Sequence, residues 1–267
     1  MPNRLAEILA NKRLEISGLD ARAQRRAAES APAPRDFYAA VKRTGSLPVR
    51  LVAELKRASP SRGVLAFDLD LVAVAEIYAA NGAAAISILT DEKFFQGRLE
   101  TLQRLRFAAG CPVPLLRKDF ILTPAQVYQS RACGADAVLL IAAALPDDAE
   151  MADLHSLALS LGLAPLVEVH SAPEVERALR LPGLKLVGIN HRDLATFQVS
   201  LAVSEHLRPL IPAGVVVVAE SGIFTASDVA RMAAAGIDAV LVGEALVTAP
   251  DIALKVRELC GGKVVQT

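Results

Sequence analysis

The 267-residue sequence predicts an α/β fold, a TIM (β/α)8 barrel preceded by an N-terminal helical extension. Three observations carry that expectation. From Leu47 onward, eight short runs rich in Val, Ile, Leu and Ala alternate with eight Ala-rich stretches of helical period. Eight strands, each followed by a helix, need roughly 200 to 250 residues, and the segment from Leu47 to the end supplies them. Polar or charged residues close nearly every run, as the C-terminal mouth of a barrel requires. The runner-up architecture is a doubly wound open sheet. Such a sheet gathers its site at one switch point, and no GxGxxG follows the first run.

The extension comes first in the chain. Between Arg4 and Ile16, the apolar residues Leu5, Ile8, Leu9 and Ile16 recur at helical spacing among Arg, Lys and Glu. The stretch to Ser30 is charged and Ala-rich. In APAPRD, Pro34 and Asp36 mark a stop and a restart, with a short helix running through Lys42. Residues 1–46 are therefore read as a helical extension packed on a barrel of residues 47–267, in preference to a free regulatory module. The barrel strands are read from VRLVAEL, AAISILT, VPLLRKD, AVLLIA, APLVEV, LKLVGIN, VVVVAES and AVLVGE. Helices are expected near 70–81, 99–109, 124–133, 147–161, 172–181, 201–211, 225–235 and 251–259.

Composition narrows the class. Apolar residues make up 53% of the chain and aromatics 4%, with no Trp, which suits parallel strands buried on both faces by helices better than a sandwich. Lys plus Arg equals Asp plus Glu at 29 each, so no global field recruits nucleic acid or an anionic membrane, and any anion site is local. Cys111, Cys133 and Cys260 are far apart and outside any CxxC or Cys/His cluster, which argues against a zinc site or a disulfide framework and for a reducing cytoplasm. The N-terminus has no apolar core of the kind a signal peptide carries. No run of about 18 uncharged apolar residues offers a membrane span.

The strand ends hold the chemistry. In AELKRASPSRG, Glu54 and Lys56 are two residues apart on a strand and share a face. Burying such a pair for stability at best breaks even, so the rim of a pocket is the better reading. The other runs end in Thr90, in Lys118 and Asp119, in Glu168, and in Asn190 with Arg192 just beyond. The last two end in Glu220, Ser221 and Gly222, and in Gly243 and Glu244. Two lysines and up to three glutamates gathered at one mouth suit proton transfer. Asp119 is read as a loop organiser. Arg117, one residue out of phase with Lys118, is expected to face the helix layer and snorkel. The Ser221-Gly222 turn precedes a helix capped by Thr225 or Ser227, and Gly243 precedes a short extra helix. Together they form an anion cradle after the seventh and eighth strands, the usual phosphate location in this architecture. His155 and His206 read as helix surface, His170 lies past a strand end, and His191 reads as loop structure or a pocket border. Phe94 and Phe95 are read as a cover for an aromatic ligand or as an apolar lid contact.

With these residues laid out, the chain resembles the indole-3-glycerol phosphate synthase family. The matching stretches are AELKRASPSRG, ISILTDEKFFQG, LLRKDF, GADAVLLI, PLVEVH, GINHRDL, VAESGI and LVGEAL, in order from Ala53 to Leu246. The resemblance implies ring closure of 1-(2-carboxyphenylamino)-1-deoxyribulose 5-phosphate to indole-3-glycerol phosphate, CO2 and water, with no cofactor and no metal. It also implies that the N-terminal helices shelter the aromatic end of a small phosphorylated substrate. By that resemblance Lys118 is the general acid, Lys56 holds the departing carboxylate, and Glu54 and Glu168 serve the later proton transfers. Asn190 and Arg192 meet the polar groups of the substrate, and Glu220 orients a lysine. Ser59, Ser221, Gly222, Gly243 and Glu244 form the phosphate neighbourhood, and Phe94 and Phe120 bind substrate. Two departures matter. There is no Trp, so Leu5, Ile8 or the Phe94-Phe95 pair has to cover the ring. Arg98 follows Gly97 where a Ser is common, and Glu244 stands where some members have Ser, so its carboxylate should turn from the phosphate. The alternatives are a Schiff-base aldolase, a phosphoribosyl isomerase and a non-catalytic sugar-phosphate sensor. The chain is expected to be a monomer or weak homo-oligomer with no nucleic-acid or membrane partner.

Overall fold

The computed structural model describes residues 4–45, 47–59, 63–64, 70–193 and 198–261, without the side chains of residues 58, 59 and 64. Eight parallel strands close into a barrel, each hydrogen-bonded to its neighbours in sequence, with the first pairing the eighth through Val52 and Leu241. They are Arg50–Leu55, Ala85–Leu89, Leu115–Lys118, Ala137–Ile141, Ala164–Val169, Leu186–Asn190, Val216–Glu220 and Ala239–Val242. An antiparallel pair of two-residue strands, Ala58–Ser59 with Gly63–Val64, stands outside the barrel after the first strand.

Period two along each strand separates two apolar clusters. Inward residues such as Val52, Leu116, Leu139, Leu166 and Val218 fill the barrel interior. Their outward neighbours, among them Leu51, Leu115, Leu140, Val167 and Val217, pack with the surrounding helices. Strands buried on both faces therefore read as unbroken apolar runs. Several helices start where Asp can cap them. Asp70, Asp147 and Asp251 each accept a hydrogen bond from a backbone N–H of the first turn. Two of the expected helices change character before they end. Leu99–Gln103 runs into a π-turn over Arg104–Ala108, and Ala202–Leu207 tightens into a 3-10 turn over Arg208–Leu210, where Pro209 has no N–H to continue the ladder.

The extension consists of α1 (Arg4–Ile16), α2 (Ala21–Glu29) and α3 (Phe37–Val41), and each meets a different part of the barrel. Ile8 and Leu9 of α1 join the interior cluster at the C-terminal mouth, and Leu5 and Ile8 line the cavity there. α2 lies against the helix Pro124–Ala132, where the guanidinium of Arg131 donates to the carbonyls of Ala31 and Pro32 at 2.9 and 2.6 Å. Phe37 and Val41 of α3 are buried with Ala85, Leu186, Val216 and Ala239, the residues that begin four strands, so α3 plugs the floor. Buried Asp136 fixes the connection between α2 and α3 by accepting from the backbone N–H and the guanidinium of Arg35 and from the N–H of Leu115.

Two expectations about charged side chains fail. Arg117 does face the helix layer but does not snorkel. It is only 3% exposed, and its donors go to Thr90, Gln126, Gln129, Ser130 and Asp119. Satisfied hydrogen bonds and an ion pair replace the water it would otherwise seek. His155 is buried, not on the helix surface, with neither ring nitrogen hydrogen-bonded, and burial lowers its pKa. A neutral imidazole can fill an apolar site where an ammonium or guanidinium cannot. His206 is exposed as expected, and His191 is a buried loop strut between the Ser221 carbonyl and the Ser204 hydroxyl.

Candidate active site

Alternation aims the last inward side chain of each strand into the mouth. Glu54, Lys118, Glu168, Asn190 and Glu220 hold such positions on the first, third, fifth, sixth and seventh strands. In register, Ile141 stands beside Glu168 and Asn190 beside Glu220. Lys118 reaches across the ring, its Nζ lying 2.6 Å from Glu220 Oε2 and 3.7 Å from Glu168 Oε2. Asn190 Nδ2 donates to Glu168 Oε1 at 3.0 Å, while Asn190 Oδ1 accepts from the Arg192 N–H and the Ser221 hydroxyl, each at 2.9 Å. Just past the first strand, Lys56 Nζ lies 2.8 Å from Glu54 Oε2.

The shifts in this cluster follow from how burial and the neighbouring charges are shared among its carboxylates and lysines. Burial would raise the Glu54 carboxyl, but Lys56, Lys118 and Arg192 outweigh it and hold it below the usual carboxylate range. Burial would lower Lys118, yet Glu220, Glu168 and Glu54 keep it above the usual lysine range, so it stays protonated. For Glu220, burial wins. Its pKa is pushed up to about 7, with Lys118 opposing and Glu168 and Glu54 adding to the rise. Opposite consequences for two members of one ion pair are consistent, because the lysine sees three carboxylates while Glu220 sees two like charges besides its partner. Glu220 Oε1 is also buried with no hydrogen-bond partner.

The turns after the seventh and eighth strands border the same cavity through Ser221, Gly222, Gly243 and Glu244. Ser221 has φ +71° and Gly222 φ +73°. For a serine that left-handed geometry costs on the order of 1–2 kcal/mol. Its hydroxyl bond to Asn190 and its carbonyl bond to His191 hold it in place. The helix Ala226–Ala234 is capped from within, since Thr225 accepts from the Asp228 N–H and Asp228 answers Thr225 and Phe224. The short helix Glu244–Val247, in contrast, starts at Gly243 with no side-chain cap. Of the two turns, the second therefore has the better anion-facing terminus.

The opposite arc of the mouth is apolar. Leu89, Phe95, Phe120, Leu139 and Ile141, from the second to fourth strands and their loops, line it beneath Leu5 and Ile8 of α1. The cavity offers about 130 Å³ to the centre of a water-sized sphere, roughly tenfold what a single water needs, so it has room for more than one water. Phe94 does not line it. Asp91 caps the short helix Glu92–Phe95 and turns Phe95 toward Phe120, with ring centroids 6.3 Å apart. Adjacent helical residues point about 100° apart, so Phe94 packs on the edge of the interior cluster outside the cavity lining, with Arg4 and Lys93 over its ring at 5.6 and 5.4 Å. The expectation for Phe94 therefore passes to Phe95. Ser59 lies in the outer hairpin, and its side chain lies outside the described residues.

One functional neighbour was not anticipated from the sequence. Lys12 of α1 is completely buried, with its Nζ 2.9 Å from each of Asp91, Asp119 and Glu15. Asp119 also accepts from Arg117 and Thr90 and is pulled down to about 2, as Arg117 and Lys12 overcome the upward push of burial. Lys12 thus pins α1 to the loops that follow the second and third strands, next to Lys118. The signal was present, since Lys12 continues the stripe Leu5, Ile8, Leu9 at helical spacing. Among the described residues, no group of three or more His, Cys, Asp or Glu is placed to hold a metal ion.

Comparison with known proteins gives a consistent picture. The family model described as indole-3-glycerol phosphate synthase matches residues 5–259. An indole-3-glycerol phosphate synthase of Roseiflexus castenholzii is 51% identical over 98% of this chain and 99% of its own length. Those of Albidiferax ferrireducens and Chloroherpeton thalassium are 50% and 47% identical, over 97% and 93% of this chain and 98% and 96% of theirs. Among solved structures, a cube-shaped, porous protein cage designed by fusing symmetric oligomeric domains superposes with a TM-score of 0.57. It is 17% identical, over 81% of this chain and 70% of the cage chain, a likeness of fold alone.

Proposed function

The chain belongs to the indole-3-glycerol phosphate synthase family, carboxy-lyases of tryptophan biosynthesis, and from that premise we propose how its own residues carry the reaction. The substrate phosphate sits at the Ser221-Gly222 and Gly243 turns, with the Glu244 carboxylate turned away, and the carboxyphenyl ring lies on the apolar arc under Leu5, Ile8, Phe95 and Phe120. That arrangement stretches the sugar across the Lys118 cluster.

In the first step the ring carbon bearing the carboxylate attacks the ribulose carbonyl carbon, and Lys118 donates a proton to the carbonyl oxygen as it gains charge. A lysine kept protonated by Glu220, Glu168 and Glu54 is suited to that task and poorly suited to forming an imine, which needs the free amine. Lys56, beside Glu54, holds the ring carboxylate until the bond to the ring breaks and CO2 leaves. The electron pair restores the aromatic ring. The new hydroxyl then leaves as water after protonation, while a base removes the proton that completes the pyrrole ring. Glu168, oriented by Asn190, and Glu54, working with Lys56, supply those transfers. Glu220 orients Lys118. The single observation that carries this reading is the placement of the Lys118 ammonium between Glu220 and Glu168, in one cavity with the Glu54–Lys56 pair.

The same reading takes residues 1–46 and 47–267 as one catalytic unit, a monomer or weak homo-oligomer working in the cytoplasm. Three free cysteines support that compartment. The test is the appearance of indole fluorescence from 1-(2-carboxyphenylamino)-1-deoxyribulose 5-phosphate with no metal or cofactor added. Fluorescence that appears at the same rate with Lys118→Ala would refute the assignment.

A further inference from the structure

The sixth strand, Leu186–Asn190, contains a glycine where strand chemistry disfavours one. Glycine inside a strand gives up packing and backbone order, and it often marks the close approach of another group. Gly188 is buried between Leu186 and Asn190 on the inward face, in register with Glu168 on one side and Val218 on the other. It is not among the residues of positive φ, so no turn geometry demands it.

A side chain there would meet one thing. A Cβ on Gly188 would run into Glu220 Oε1, while Glu220 Cδ at 3.5 Å and the Glu168 Cα at 3.6 Å would be ordinary contacts. The backbone therefore tolerates a methyl group, and only the tip of the Glu220 carboxylate has to yield. The same tip has Oε2 on Lys118 at 2.6 Å, while Oε1 is buried without a hydrogen-bond partner, so on the Gly188 side packing alone fixes where the carboxylate sits. We propose that Gly188 is a positioning residue for the reaction: by presenting no side chain at an inward position of the sixth strand, it leaves the seat from which Glu220 grips Lys118. The inference rests on the reading above that Glu220 orients Lys118. Gly243 on the eighth strand repeats the device, since a Cβ there would run into Glu54 Oε2.

The test is a double-mutant cycle of Gly188→Ala, Glu220→Ala and the pair, with kcat, KM, pH profile and thermal midpoint read for each. Gly188→Ala is expected to lower kcat about 10- to 100-fold, up to the lower bound of the roughly 10² to 10⁴ that one proton-transfer group contributes, and to change KM far less. In the Glu220→Ala background it should cost nothing more, because the group it acts through is gone. The groups facing Glu220 are Lys118, Glu168 and Glu54. In Gly188→Ala the inflection of kcat near pH 7 should move to lower pH, because a carboxylate pushed toward the mouth loses part of the burial that raises it. In both Glu220→Ala variants the inflection should vanish. Multiplying effects in the double variant, or a Gly188→Ala enzyme with unchanged kcat and pH profile, would overturn the proposal. Wild-type kcat in Glu220→Ala alone would remove the reading beneath it. If Gly188→Ala does not fold, recovery of the fold in the double variant supports the clash with Glu220, and failure of both to fold refutes it.

Discussion

Replacing Lys12 by Met keeps the length of the side chain and removes its charge. The ammonium lies within 2.9 Å of Asp91 and Asp119, both fully buried at the side chain, and of Glu15, which is 39% exposed. Glu15 will turn to water. Asp119 keeps Arg117, Thr90 and its own bond from the Phe120 N–H. Asp91 fares worst: its Oδ1 keeps the Phe94 N–H, but for its Oδ2 the ion pair with Lys12 is the only compensation among the described residues. Removing one partner of a buried pair costs about 3–5 kcal/mol. That cost falls on the docking of α1, whose buried apolar contribution is essentially Ile8 and Leu9, at about 1.5–3 kcal/mol each. The barrel strands share none of it. The assay is native-state amide exchange, in which α1 protection should fall by roughly two to three and a half orders of magnitude while strand protection persists. KM should rise with it, because Leu5 and Ile8 leave the cavity. Unchanged α1 protection, or a loss shared equally by the strands, would show that the ion cluster does not hold α1 on the mouth.

Lys118→Ala should lower turnover at least 10²-fold while phosphate-dependent substrate binding persists, because the lost interaction grows with the charge of the transition state; rapid-mix kinetics with a separate equilibrium binding measurement would check the split. With Glu220 raised to about 7 by burial, its proton is on below that pH and off above it, so kcat should fall as pH drops through 7, and Glu220→Gln should abolish that limb. Phe95→Ala should raise KM for the aromatic substrate several-fold, whereas Phe94→Ala, which removes a ring outside the cavity, should leave steady-state kinetics nearly unchanged.

The barrel was legible because strands buried on both faces give uninterrupted apolar runs, and a polar residue ending such a run has only the mouth to enter. Glu54, Lys118, Glu168, Asn190 and Glu220 were visible for that reason. Phe94 and Phe95 were not separable, since a four-residue helix after a strand has no period to read, and its phase is set by the cap at Asp91. Lys12 sat on the apolar stripe of α1, but a charge on a stripe acquires meaning only when its partners, about 80 and 107 positions away, are known. His155 misled for the opposite reason, a polar letter on a helix that the fold buries as a neutral ring. Gly188 stood out only as a glycine inside a strand run, and what excludes a side chain there, the tip of a residue on the next strand, is not written in the run itself.

The way α1 and α3 close opposite ends of one barrel bears on how the product escapes. α2 and the Arg35–Asp136 clamp fasten the extension to the outer wall, so an α1 freed from the mouth stays tethered through residues 17–20 and does not diffuse away. Return is then a unimolecular event at a high effective concentration, independent of how much enzyme is present. Freeing α1 would then cost only the contacts at the rim and leave intact the eight-stranded frame that holds the charges in register.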